Sequence, residues 1–210
     1  MTIKDRTERI FEHDKKYLPK LIAGMDEAGR GALAGPLVVA CCIMPLDSPI
    51  EDVYDSKALS PEKREELFEK IVCRAVSYKI TECGIETVDK LNILGATILT
   101  MREIVSVMSI NPTIVLIDFV PKLNLSIEHE AIKKGDQTSY NIAAASILAK
   151  VHRDRLMKEW DKKYPLYNFK ENKGYGTPNH IAALKQFGKS PIHRESFIKK
   201  FFTEQVSFII

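Results

Sequence analysis

Cysteine is scarce in this chain. The 210 residues hold four, at Cys41, Cys42, Cys73 and Cys83, and no two of them form a C-x-x-C pair. Cys41 and Cys42 are adjacent within an apolar run, where strand geometry sends neighbours to opposite faces. This pattern argues against a disulfide framework or a cysteine-built zinc site, and for small core residues in a reducing compartment. Long apolar runs are missing too, and none approaches the ~20 residues of a membrane helix. The N-terminus is charged and polar, unlike an apolar leader. Repeats, low-complexity stretches and a convincing domain linker are also absent. What is left is the expectation of a cytoplasmic enzyme or binding protein.

A strong excess of one charge is lacking as well, since the net charge is only +3. Its distribution is uneven. Residues 151–210 carry 12 Lys/Arg against 6 Asp/Glu, and residues 1–150 carry 19 against 22. A basic C-terminal third beside a mildly acidic body suits a polyanion such as nucleic acid. Apolar residues make up 45% of the chain, which excludes disorder and fits one α/β domain, alone or with a small helical appendage.

Hydrophobic patterning divides the chain into elements. Residues 1–19 are charged, end at Pro19, and read as an exposed helix or arm. Lys20–Asp26 reads as a first buried strand and Pro36–Met44 as a second, with Gly29, Gly31 and Gly35 in the turn between them. Ser60 followed by Pro61 marks the start of a helix that runs to about Arg74. Ala75–Cys83 and Pro112–Asp118 read as two further strands. Asn92–Met108 has helical spacing. Thr138 to about Lys163 is a long helix with an Ala-rich start, suited to close packing on a sheet. Beyond Pro165 the chain is basic and irregular, with one more helix starting near Pro178.

Acids stand where acids are out of place. Asp26 ends one apolar strand, Asp118 ends another, and Glu27 follows Asp26. Ligands of α/β sheets gather at strand ends, and clustered carboxylates there suit Mg²⁺ or Mn²⁺. Neighbours on a strand face opposite ways, so Asp26 and Glu27 share a site only if the strand bends, which Gly24 and Gly29 would permit. Two candidates remain for a fourth acid. Asp136 and Asp154 are 18 residues apart, roughly 27 Å along a continuous helix, whereas paired catalytic metals lie ~4 Å apart. Asp136, beside a loop and a helix start, is better placed. Asp154, with Lys150 and Lys158 at i−4 and i+4, reads as an ion-pair residue.

Candidate substrate contacts flank these acids. Gly29-Arg30-Gly31 directly follows the first two, and glycines let backbone N–H groups approach sugar or phosphate oxygens. Lys57, in Asp55-Ser56-Lys57, precedes a helix start. Tyr175 stands between Gly174 and Gly176 in the basic third, where an aromatic ring can stack on a sugar or base. Two other readings share some of these features. One is a different nuclease or strand transferase, which has a similar acidic site. The other is a nucleic-acid-binding module without catalysis, for which clustered acids are a poor fit.

The sequence closely resembles the type 2 ribonucleases H, specifically the bacterial ribonuclease HII family. The matching stretches include Asp26 to Gly31, Ala34 to Pro36, Asp55 to Lys57, Asn92 to Leu94, Ile117-Asp118, Gly135-Asp136 with Ser139, Ile142 to Val151, Lys173 to Thr177 with His180, and His193-Arg194. They keep the family's order over about residues 20–198. Two departures are Phe119, where the family usually has Gly, and Ala58, where it often has Lys. The resemblance implies a ribonuclease H-like α/β fold, a mixed central sheet flanked by helices with a C-terminal helical segment. The catalytic domain would span 20–198, between an arm or helix at 1–19 and a tail at 199–210. An extra N-terminal substrate-binding domain, as in a related type, is not expected. The family's metal-holding catalytic acids fall on Asp26, Glu27, Asp118 and Asp136, for Mn²⁺ or Mg²⁺. Its contacts to the ribonucleotide 2′-OH fall on Gly29, Arg30 and Gly31, its substrate-sensing tyrosine on Tyr175, and phosphate contacts on Lys57 and Ser139. The implied partners are RNA·DNA hybrids and DNA duplexes containing ribonucleotides, cut by a monomer that needs no membrane.

Overall fold

The structure is a computed structural model, and it describes residues 2–202. Five strands form one mixed sheet in the order β3-β2-β1-β4-β5. These are β1 (Ile22–Ala28), β2 (Leu37–Ile43), β3 (Ser77–Cys83), β4 (Ile114–Asp118) and β5 (Glu128–Ile132). The first three are antiparallel neighbours, whereas β4 runs parallel to both β1 and β5. The central strands β1 and β2 are almost wholly buried. Sheets covered on both faces read as continuous apolar runs, which is how these two strands appear in the sequence.

Helices cover the two faces. On one lies α4 (Tyr140–Lys163), with α1 (Ile3–Lys15) and α2 (Pro61–Arg74) beside it; their apolar side chains meet Val38, Ala40 and Cys42. On the other lies α3 (Ile85–Ser106), against Ala23, Met25, Val39 and Cys41. The Ala-rich start of α4 lets it sit very close to β1. A Cβ on Gly24 would lie 2.0 Å from the backbone carbon of Asn141, so only glycine fits there. Ser60 caps α2 by accepting from the Lys63 N–H at 3.2 Å, with Pro61 at the first helical position, as the sequence predicts.

Three features depart from the sequence reading. Helix α1 is packed rather than exposed, with Ile10 and Phe11 buried in the core. Asp14, near its end, is also fully buried. It accepts from the Ser139 hydroxyl at 3.0 Å, the Asn141 N–H at 2.8 Å and the Asn141 amide at 2.9 Å. Strand β5 is an additional edge strand; nearly all its residues are exposed, so it carries no apolar alternation to read. Finally, α3 begins before Asn92, which breaks it at φ 56° and accepts from the Leu94 and Gly95 N–H groups to restart it.

The basic third wraps around the turn that follows β1. It comprises α5 (Phe169–Asn172), α6 (Pro178–Phe187) and α7 (Glu195–Ile198). Of the expected tail 199–210, residues 203–210 lie outside the described residues. Among the described residues, no helix is long and apolar enough to cross a membrane.

Candidate active site

Asp118 ends β4, and Asp26 lies near the C-terminal end of β1, which continues to Ala28 beyond the strand end read from the sequence. Because Met25 pairs with Ile117, the two acids are next in line on adjacent parallel strands. Asp118 is anchored by the Gly135 N–H, which donates to its Oδ1 at 2.8 Å. Gly135 opens the 3₁₀ turn Gly135–Gln137 that carries Asp136, so one hydrogen bond brings the fourth acid beside the third. Lys57 Nζ, on a side chain 82% exposed, stands 3.9 Å from Asp136 Oδ2. The structure therefore sets Asp136, rather than Asp154, beside Asp118. Asp154 pairs with Lys150 at 2.7 Å, as its spacing predicts, and is buried.

The bend that a shared site for Asp26 and Glu27 would need is absent. β1 stays paired with β2 through both residues, Asp26 opposite Ala40 and Glu27 opposite Val39. Asp26 Oδ1 accepts from the Glu27 N–H at 2.7 Å, while Glu27 Oε1 turns to Arg30 at 3.2 Å. The two carboxylates point to opposite faces at a strand end, where both remain close to the sheet edge. Among the described residues, no three acid, His or Cys side chains are gathered tightly enough to enclose an ion.

The acids are nonetheless short of positive charge. Burial pushes the Asp26 carboxyl well above its usual range, and the charges of Glu27 and Asp118 push it the same way. Burial also raises Glu27, though Arg30 works against it. Asp136 is pushed up to about 6 by burial and then by Asp55. Glu27 Oε2 is buried with no hydrogen-bond partner. Buried, mutually repelling oxygens with a spare acceptor are the donor set a hard divalent cation relieves. Asp26, Glu27, Asp118 and Asp136 thus have the oxygen chemistry such an ion takes, although their side chains are not gathered around one point.

The turn after β1 explains its glycines one by one. Gly29 has φ +97°, and a Cβ there would meet Arg153 Nε at 2.2 Å, so the fold itself demands glycine. Gly31 is different. It is exposed, its φ is ordinary, and a Cβ there would meet nothing within 4 Å. Tyr175 is joined to this turn by a bridge to Ala32, and the Leu33 N–H donates to the Gly174 carbonyl at 2.8 Å. The half-buried Tyr175 ring lies near two cations, the Arg153 guanidinium carbon at 5.3 Å and Lys150 Nζ at 5.6 Å from its centroid.

Ser139 has a different job from the one expected. It is fully buried, its hydroxyl donates to Asp14, and its oxygen accepts from the Ile142 N–H at the start of α4. It holds a helix end and offers no free hydroxyl to a phosphate. Sequence reasoning also missed Asp55. Asp55 is buried, accepts from Gln137 Nε2 at 3.1 Å, and ties the Lys57 turn to the Asp136 turn. The buried pair His180 and His193 was missed as a structural unit, and so were Arg153 and Arg194. A lone sequence gives no sign that a cation in a basic segment is buried.

Comparison with known proteins gives the family. The family model described as Ribonuclease HII matches residues 23–200. Ribonuclease HII of Ruminiclostridium cellulolyticum is 51% identical over 94% of this chain and 78% of its own length. The protein of the same name from Caldicellulosiruptor bescii is 47% identical over 91% of this chain and 95% of its own. The crystal structure of ribonuclease H2 from Pyrococcus horikoshii superposes with a TM-score of 0.74 at 27% identity, covering 87% of this chain and 97% of that one. With the model spanning most of the chain and relatives near half identity across nearly all of it, the chain belongs to the ribonuclease HII family and is a ribonuclease H endonuclease.

Proposed function

We propose that the chain hydrolyses the RNA strand of RNA·DNA hybrids and also cuts on the 5′ side of a single ribonucleotide embedded in duplex DNA. The products are 5′-phosphate and 3′-hydroxyl ends, and the role is removal of misincorporated ribonucleotides and RNA primers. The observation that carries this reading is a juxtaposition. Asp26 and Glu27, the latter with one buried carboxylate oxygen lacking a partner, lead directly into a turn whose exposed Gly31 leaves room for a ligand, and Asp118 stands beside them on the neighbouring strand.

Asp26, Glu27, Asp118 and Asp136 would hold Mg²⁺ or Mn²⁺. When bound, such ions supply an activated water and charge stabilisation for the leaving 3′ oxygen. The chain's own residues do the rest. The Gly135 N–H fixes the Asp118 carboxylate, and Arg30 restrains Glu27. Lys57, exposed beside Asp136, is free to meet a phosphate. Gly29, Arg30 and Gly31 would read the 2′-OH, the group that separates a ribonucleotide from a deoxyribonucleotide. Tyr175, held beside that turn, would stack on the following deoxyribose, which has no 2′-OH to clash.

Asp118→Asn tests the reading. It keeps size and one acceptor but removes a charge from the metal-holding set. Cleavage should fall by at least a hundredfold in Mg²⁺ or Mn²⁺, while hybrid binding stays within a fewfold of wild type. Activity near wild type would remove Asp118 from the site.

A further inference from the structure

Two arginines in this protein are fully buried without an ion pair among the described residues. They are Arg153 and Arg194, each 0% exposed. Burying a guanidinium without an acid is costly, and Arg194 also leaves one terminal nitrogen buried without a partner, so its position must matter. Burial, and then the neighbouring Arg153, lower Arg194 to about 10, so it is still a cation at neutral pH.

Every hydrogen bond the Arg194 guanidinium makes goes to one turn. Nε donates to the Gly35 carbonyl at 2.9 Å, and one terminal nitrogen donates to the Gly29 carbonyl at 2.7 Å and the Arg30 carbonyl at 3.3 Å. The Arg194 N–H donates to the Leu33 carbonyl at 2.8 Å. Arg153 grips the far end of the same turn, through the Ala34 and Pro36 carbonyls, and reaches the Lys173 carbonyl on the Tyr175 segment.

The geometry of the peptide unit turns this grip into function. In a trans peptide, the carbonyl of one residue and the N–H of the next point in opposite directions. The sole cis bond among the described residues is Leu18–Pro19, so the units after Gly29 and Arg30 are trans. Pulling the Gly29 and Arg30 carbonyls inward therefore turns the Arg30 and Gly31 N–H groups outward. Among the described residues neither N–H has an acceptor, and Gly31 is exposed. We infer that Arg194 is a specificity-positioning residue: by holding the Gly29 and Arg30 carbonyls from behind, it aims the Arg30 and Gly31 N–H groups at the ribonucleotide 2′-OH. The inference rests on the proposed reading of that hydroxyl by this turn.

The test separates discrimination from general binding. Dissociation constants are measured, in an Asp118→Asn background that does not cut, for a DNA duplex carrying one ribonucleotide and for the same duplex in all-DNA form. Arg194→Lys keeps the charge but cannot span three carbonyls. The background protein should prefer the ribonucleotide duplex. Adding Arg194→Lys should cut that preference at least fivefold, with all-DNA affinity within twofold. Equal weakening of both duplexes, the mark of a merely structural role, overturns the inference, as does an unchanged preference. A background protein with no preference overturns the 2′-OH reading itself, and the inference with it. Should Arg194→Lys fail to fold, amide NMR of the unsubstituted-Arg194 protein decides. The Arg30 and Gly31 N–H signals should shift with the ribonucleotide duplex and stay put with the all-DNA duplex, and equal shifts overturn the inference.

Discussion

A glycine with relaxed backbone and open space beside it is one the fold does not require. Gly31 meets that description, whereas Gly24 and Gly29 have close neighbours that exclude a side chain. The difference becomes a prediction. Gly31→Ala should leave the melting temperature unchanged or slightly raised, because alanine costs less chain entropy on folding. Cleavage at a single ribonucleotide should nevertheless drop at least tenfold, because a methyl group now stands where the sugar approaches. Parallel measurement of melting and of kcat/KM checks it, and a full-rate variant would move the 2′-OH contact elsewhere. Residue types at this scale were legible in the sequence, since Asp26, Glu27, Asp118 and Asp136 stand out against apolar or turn surroundings. Orientation was not. The direction of Glu27 depends on β1 running straight, and the job of Ser139 depends on a carboxylate 125 residues away.

That carboxylate shows how elements are joined. Asp14 lies near the end of α1 and accepts three hydrogen bonds from the start of α4, where Asn141 in turn accepts from the Met44 N–H beyond β2 at 2.7 Å. One acid thus ties helix, helix and sheet together behind the Asp136 turn. Asp14→Ala would strand the Ser139 and Asn141 donors, and each buried donor left unpaired costs about 1–3 kcal/mol. Denaturant unfolding should show a loss on the order of 3 kcal/mol. A change below about 0.5 kcal/mol would mean that water satisfies those groups. The main helices and the central strands were readable because their periodicities and caps are local properties. Strand β5 and the docking of α1 were not, since an exposed edge strand shows no alternation and a partner's face is invisible to local pattern.

Across the whole molecule, the basic third braces the turn that follows β1. Its internal tie is a neutral histidine pair. His180 Nδ1 lies 2.9 Å from the Tyr175 carbonyl, so it carries the proton, and its Nε2 must accept from His193 Nε2 at 3.0 Å. His193 Nδ1 then accepts from the Ser190 N–H at 2.9 Å and hydroxyl at 2.8 Å. Burial, and then His180, depress His193 to about 4 from an ordinary 6.5. A depressed histidine binds fewer protons folded than unfolded between those values. Its stabilising contribution is therefore present above 6.5 and lost as pH falls through about 4. Asp136, raised to about 6, works the other way: its contribution is present below its ordinary 3.8 and lost as pH rises through about 6. Global unfolding would blend the two, so imidazole NMR is the cleaner readout. His193 should remain neutral at pH 5.5 with its proton on Nε2. Titration near 6.5 would break the proposed chain to Tyr175.

An acidic metal site and a 2′-OH-reading turn that act on the same nucleotide make cleavage depend on both the metal and the ribose. The most direct measurement is cleavage of an end-labelled DNA duplex carrying one ribonucleotide, with and without Mg²⁺ or Mn²⁺. A single metal-dependent cut on the 5′ side of that ribonucleotide is expected, with none in the all-DNA duplex. A folded protein that cuts long RNA·DNA hybrids yet leaves this duplex intact, or cuts it away from the ribonucleotide, would contradict that dependence.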